Sequence, residues 1–256
     1  MNLALLCAIV ALRPVQPLPA AHAHNDYLHA RPLLDALDYG FCSIEADIFR
    51  VGNKLLVAHE RASLNPEREL ARLYLNPLQQ KVRAGGGRVY SGGPPITLLL
   101  DIKADGEAVY ALLRQVLPRY RGMLTEVRHG RYIQRAVTVV LSGCCPREAV
   151  LKDKVRFAAI DGRLPDLGSS LPAHAMPIIS DQWIGNFRWF GIGTMPASER
   201  QRLQDVVTKA HAAGRRVRFW ATPDSEPLWE ELLGAGVDLI GTHNLSRLAS
   251  FLRGRP

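Results

Sequence analysis

Short apolar runs and amphipathic stretches alternate along most of the chain. ITLLLDIK (96–103) is almost continuously apolar, the pattern of a strand covered on both faces. AVTVVLS (136–142), VRFAAID (155–161), MPIIS (176–180), RRVRFWA (215–221) and VDLIGT (237–242) are further β-rich runs of strand length. SIEADIF (43–49) alternates apolar and polar positions, and a short apolar run at 54–58 follows the Gly52-Asn53 turn. Helical spacing occupies 32–37 (closed by Gly40), 107–117, 147–153, 197–213 (ending at Gly214), 227–234 and 245–252. Residues 61–95 interrupt the rhythm with a long polar excursion, helical at 67–74, then AGGG (84–87) and SGGPP (91–95). With a strand near 17–23 the strand total is about eight. Strand–helix alternation of this kind implies a parallel sheet, and eight units imply a single-domain α/β fold of the (β/α)8 TIM-barrel type. No internal repeat or inter-domain linker is visible.

At 256 residues, 47% hydrophobic and 22% charged, the chain has the composition of a globular domain with a sizeable core. NLALLCAIVAL (2–12) is too short to span a bilayer, and PVQPLPAA follows it. That layout predicts a signal peptide over residues 1–20, although a basic leading region is missing. Cleavage near Ala20 or Ala21 would leave 21–256 as the domain and export it to the periplasm or medium. The net charge of +8 is scattered rather than set in a dense block interleaved with aromatics. That argues against a nucleic-acid groove and for anionic substrates or a membrane surface. No obligate protein partner is evident. The cysteines show no CxxC metal pattern, and vicinal Cys144 and Cys145 are poorly disposed to bond each other.

The chemistry concentrates in AHAHNDYLHARPLLDALDYGFCSIEADIFRVGNKLLVAHE (21–60). Glu45 and Asp47, two apart on a strand, leave one face together. Like charges so placed repel, and a bound cation relieves them. Such pairs usually mark a solvated face, but these interrupt runs that read as buried. Polar residues also gather where strands end: His24, Asp101, Ser142, Asp161, Ser180, Trp220, Thr222 and Thr242. Barrels of this kind place their active sites there.

HNDY, IEAD, AHE and DIK together resemble the phospholipase-C-like phosphodiesterase superfamily. Within it the chain is most similar to the branch of the fungal altered-inheritance-of-mitochondria proteins. LYLNPL (73–78), DGR (161–163), IISDQW (178–183), RFWATPD (218–224) and GVDLIGT (236–242) extend the likeness over most of the chain. The resemblance implies His24 and His59 as the catalytic pair and Asn25, Glu45 and Asp47 as metal ligands. Asp101 and Lys103 match an Asp-x-Lys of the sphingomyelinase D branch, which adds Asp101 to the metal and Lys103 to the phosphate. His22 competes with His24 as first histidine and, with Trp220, is expected near substrate. The H-R-G and E-N motifs of glycerophosphodiesterases are absent, and His243 stands where those enzymes usually carry an acid.

The expected activity is hydrolysis of a phosphodiester, of phospholipid head-group or glycerophosphodiester type, by two-histidine acid–base catalysis. An all-oxygen ligand set suits Mg²⁺ or Ca²⁺ better than Zn²⁺. Two other readings fit the same residues. His22-x-His24 also resembles the HxH of zinc-dependent amidohydrolases and phosphoesterases, which would recruit His174, His211 or His243. A barrel that binds phosphate without catalysis is the other. Trp183, Phe187 and Trp189 either line the pocket mouth or pack in the core, and the 183–190 loop is a candidate lipid contact.

Overall fold

The computed structural model describes residues 15–255. Its strands in chain order are β1 (Leu18–Ala23), β2 (Phe41–Val51), β3 (Lys54–Val57), β4 (Ile96–Ile102), β5 (Glu126–Arg128), β6 (Arg131–Ile133), β7 (Val137–Gly143), β8 (Val155–Arg156), β9 (Ala158–Gly162), β10 (Ile178–Gln182), β11 (Arg216–Trp220) and β12 (Leu239–Thr242). The α-helices are α1 (Leu34–Asp38), α2 (Asn76–Ala84), α3 (Gly106–Val116), α4 (Arg147–Lys152), α5 (Ala197–Ala212), α6 (Glu226–Gly234) and α7 (Leu245–Arg253). Parallel pairing runs β1-β2-β4-β7-β9-β10-β11-β12, and β1 pairs with both β2 and β12, which closes the ring. The chain therefore folds as the expected eight-stranded parallel barrel with helices around it.

The ring is filled from within by an apolar plug of Val140, Ala159, Ile178 and Leu239. A much larger core lies between sheet and helices, which is why β2 is buried on both faces from Phe41 to Phe49. β2 outruns the barrel. Its far end pairs antiparallel with β3, and the Ala58 N–H donates to the Asp47 carbonyl at 3.2 Å. That hairpin brings His59 back over the barrel's rim beside Asp47.

Two features depart from the sequence reading. The helix expected at 67–74 forms later, a π-turn at Ala71–Leu75 running into α2. Pro77 sits in the first turn of α2, where its missing N–H costs nothing. The run 155–161 splits: β8 joins β5 and β6 in a small antiparallel sheet, and β9 enters the barrel. Of the two places left open for Trp183, Phe187 and Trp189, all three take the core, with Trp183 stacked on Phe187 and edge-on to Phe219. Cys42 is buried, whereas Cys144 is exposed. No helix among the described residues is long and apolar enough to cross a membrane.

Candidate active site

Parallel register aligns the strand ends that carry polar side chains. Asp47 on β2 faces Asp101 on β4, and Asp101 faces Ser142 on β7. These positions open on a cavity of about 340 Å³ at the C-terminal rim. Its walls are His24, Asn25, Glu45, Asp47, His59, Asp101, Lys103, Ser142, Gly143, Arg163, Arg218 and Trp220. Nine residues singled out from the sequence thus meet in one place. His22 does not join them. It lies inside β1, fully buried, and donates from Nε2 to Glu45 Oε2 at 2.9 Å while the Ser43 hydroxyl donates to its Nδ1 at 2.7 Å. Its expected contact with substrate is corrected to a hold on Glu45. His24 stands just past the strand end, and the strand's period of two does not carry it to the same depth.

Asp47 is the hub of the β2 side. Its Oδ2 accepts from the Tyr27 hydroxyl at 2.8 Å, from His59 Nδ1 at 3.0 Å and from Lys103 Nζ at 3.2 Å. Lys103 also reaches Asp101 at 3.2 Å. The bond to Asp47 fixes the proton of His59 on Nδ1 and leaves Nε2 free to meet a ligand. His24 Nε2 lies 3.9 Å from Glu45 Oε1, and its ring rests on that of His243 at 4.6 Å. Asn25 adopts a left-handed φ of 50°, which asparagine tolerates better than most residues.

The site's electrostatics follow from burial set against its ion pairs. Burial works to raise the Glu45 carboxyl, but Arg218 and the His22 bond overcome it and hold Glu45 well below the usual carboxylate range. Burial, then the Glu45 charge, push Asp47 upward, and Lys103 offsets only part of this. Burial lowers Lys103, yet Asp47 and Asp101 outweigh it and leave the ammonium more firmly protonated. Burial takes His24 down to about 4, with Arg218 and His243 pulling the same way and Glu45 opposing. His22 falls to about 3 for the same first reason, so it is neutral.

Arg218, Arg163, Tyr27 and Gly143 were not singled out from the sequence. Arg218 pairs with Glu45, and Arg163 is held by Asp161 at 2.7 Å with its guanidinium over the Trp220 ring at 5.0 Å. The signal for both arginines lay in DGR and RFWATPD, where they read as solvated charges. Of the histidines open to the zinc reading, His243 alone stands near, its ring against that of His24 at 4.6 Å. His174 stacks on Tyr132, His211 pairs with Asp238, and neither lines the cavity.

Each of the three carboxylates ties one oxygen to protein N–H or O–H donors and keeps the other free of hydrogen bonds among the described residues. Asp47 Oδ1 is buried without any partner. Hard oxygens with one orphan among them are the donor set a Mg²⁺- or Ca²⁺-type ion takes. As placed, no three such side chains among the described residues close on one point, and Lys103 bridges Asp47 and Asp101. By donor type alone, these oxygens fit a divalent cation.

Residues 10–86 match the AIM6-like phosphodiesterase domain. The altered inheritance of mitochondria protein 6 of Eremothecium gossypii is 29% identical over 93% of this chain and 71% of its own length. That of Saccharomyces cerevisiae is 29% identical over 94% and 72%. The chain is thus similar to these fungal proteins along most of its length. Among solved structures, a glycerophosphodiester phosphodiesterase from Parabacteroides distasonis superposes with a TM-score of 0.56 at 16% identity, covering 94% of this chain and 99% of that one. A calcium-dependent phosphoinositol-specific phospholipase C from a Pseudomonas species gives 0.55 at 14%, over 90% and 91%. These two show the shared barrel. The domain match over residues 10–86 is to a phosphodiesterase-like domain and takes in the HNDY and IEAD motifs, the likeness expected from the sequence. The relatives and this match also overturn the expectation of export. The relatives carry a mitochondrial name, and the domain match begins at residue 10, inside the stretch read as a leader. Most of that apolar stretch lies outside the described residues, but β1 starts at Leu18, so cleavage at Ala20 or Ala21 would cut a barrel strand in two.

Proposed function

We propose that this chain is a phosphoric diester hydrolase of the phospholipase C and glycerophosphodiesterase kind, with His24 and His59 as its acid–base pair. The observation that carries the reading is the convergence of two imidazoles, three carboxylates and Lys103 on one cavity at the strands' C-terminal rim. His24, lowered to about 4, is neutral at pH 7 and accepts the proton of the attacking hydroxyl, whether from water or from the substrate itself. The freed oxygen attacks phosphorus, and the bond to the leaving alcohol breaks. His59, entering the step as the imidazolium with its Nδ1–H on Asp47, hands its Nε2 proton to the departing oxygen and is left neutral. Lys103 offsets the charge that grows on the non-bridging oxygens. Glu45, Asp47, Asp101 and Asn25 would hold a divalent cation of the Mg²⁺ or Ca²⁺ type. Bound there, it would supply further neutralisation of phosphate charge.

Hydrolysis of bis(p-nitrophenyl) phosphate by the purified protein, with and without EDTA, tests the reading. Turnover that the chelator abolishes and Mg²⁺ or Ca²⁺ restores is the expected result. Turnover indifferent to EDTA removes the cation, and no turnover in any metal removes the enzyme.

A further inference from the structure

Arg218 is the cation whose placement the reading above leaves unexplained. It stands on β11 two positions before Trp220, its side chain is only 4% exposed, and it crosses the barrel to a partner 173 residues away. Nη2 donates to Glu45 Oε2, Nε is buried with no acceptor, and Nη1 makes no hydrogen bond among the described residues. Its neighbours on the chain and across the cavity are spent differently. Arg215 gives its terminal nitrogens to the carbonyls of Asp166, Ser169 and Leu171 at 2.7–2.9 Å. Arg163 gives its own to Asp161, Gly162 and Ser142 at 2.7–3.0 Å. Those two are structural arginines. Arg218 lines the same cavity as His24 and His59, and a recess of about 60 Å³ beside it, with most of its five donors idle.

Burying donors without acceptors is costly, so a nearly enclosed guanidinium bordering a cavity is poised for an anion. Glu45 alone does not account for it, because His22 already donates to the same oxygen. A guanidinium also presents a flat fork that matches two oxygens of a tetrahedral oxyanion, which an ammonium cannot do.

We propose that Arg218 is the phosphate-gripping residue of this site. Steadied by Glu45, it donates to the non-bridging oxygens of a phosphodiester from the β11 wall, while Lys103 acts from the β4 side. The assignment rests on the phosphodiesterase reading for the identity of the ligand, not for the existence of an oxyanion site. It gives Glu45 a second task, as anchor of that fork, beyond any cation its free oxygen holds.

The test is Arg218→Lys, with inorganic phosphate as probe in titration calorimetry, bis(p-nitrophenyl) phosphate as substrate, and a thermal melt as control for folding. A folded variant that binds phosphate at least about tenfold more weakly, with KM raised in step, is the expected result. A folded variant with unchanged phosphate affinity and unchanged KM overturns the assignment and leaves Arg218 as mere counter-charge to Glu45. If Arg218→Lys does not fold, Glu45→Gln is compared with Glu45→Gln/Arg218→Gln, where no buried charge is left unpaired. The double variant should bind phosphate more weakly than the single one, and equal affinity overturns the proposal. Wild-type protein that takes up no phosphate overturns it too. Wild type that binds phosphate through Arg218 yet cleaves no diester keeps the grip and removes the catalytic reading. Wild type that cleaves the diester with Arg218→Lys unaffected does the reverse.

Discussion

Asp26, in the middle of the HNDY motif, is fully buried and does not line the cavity. Its Oδ2 accepts the Leu33 N–H at 2.5 Å and the Tyr74 hydroxyl at 2.8 Å, while Oδ1 has no partner among the described residues. It therefore ties down the turn that carries His24, Asn25 and Tyr27. Burial raises its carboxyl to about 6, against the two bonds it accepts. A carboxyl that holds its proton more tightly when folded contributes most below its unfolded value, near 3.8, and loses that contribution as pH climbs to about 6. Asp26→Asn keeps an acceptor and cannot ionise. The stability of wild type relative to this variant, measured by urea melts, should fall between pH 4 and 6 by on the order of 1–3 kcal/mol. A difference flat across that window contradicts the assignment. At this scale the sequence was most legible where spacing alone fixes a side chain's direction, as with Glu45 and Asp47. Arg218 was not legible. Among RRVRFWA it looks like one basic residue of several, and its partner lies on the other wall of the barrel.

At the scale of elements, the cavity depends on how β4 and β7 end. Gly143 closes β7 with a φ of +64°. A Cβ built there would stand 2.4 Å from Asp101 Oδ1 and 2.4 Å from the Ile102 carbonyl oxygen. A backbone carbonyl cannot step aside, and an alanine in the left-handed region costs roughly 1–2 kcal/mol before any clash. Gly143→Ala should therefore lower stability by at least ~2 kcal/mol and push Asp101 from its place, reducing diester turnover. An unchanged urea midpoint with full turnover would show that this strand end tolerates displacement. The β2–β3 hairpin has the opposite character. Its Gly52-Asn53 turn and short second run are plain in the sequence, so the approach of His59 to Asp47 could be anticipated. The sheet of β5, β6 and β8 could not, because strands of two and three residues leave no periodicity to read.

For the whole molecule, alternation gave the barrel and its count of eight strands, but closure lies beyond any local pattern. Pairing of β1 with β12 joins residues more than two hundred positions apart, Ala21 with Ile240 and Ala23 with Thr242. That closure sets His24 beside His243 and against Glu45. It also completes a cavity whose walls come from both ends of the chain, Asn25 and Asp47 facing Arg218 and Trp220. The central claim is that this cavity moves protons between a substrate and two imidazoles. The direct measurement is the steady-state rate on bis(p-nitrophenyl) phosphate for wild type, His24→Ala and His59→Ala, each shown to be folded by circular dichroism. A proton transfer of this kind is worth ~10²–10⁴-fold, and each variant should lose about that much in kcat. Either variant turning over at the wild-type rate would contradict the account.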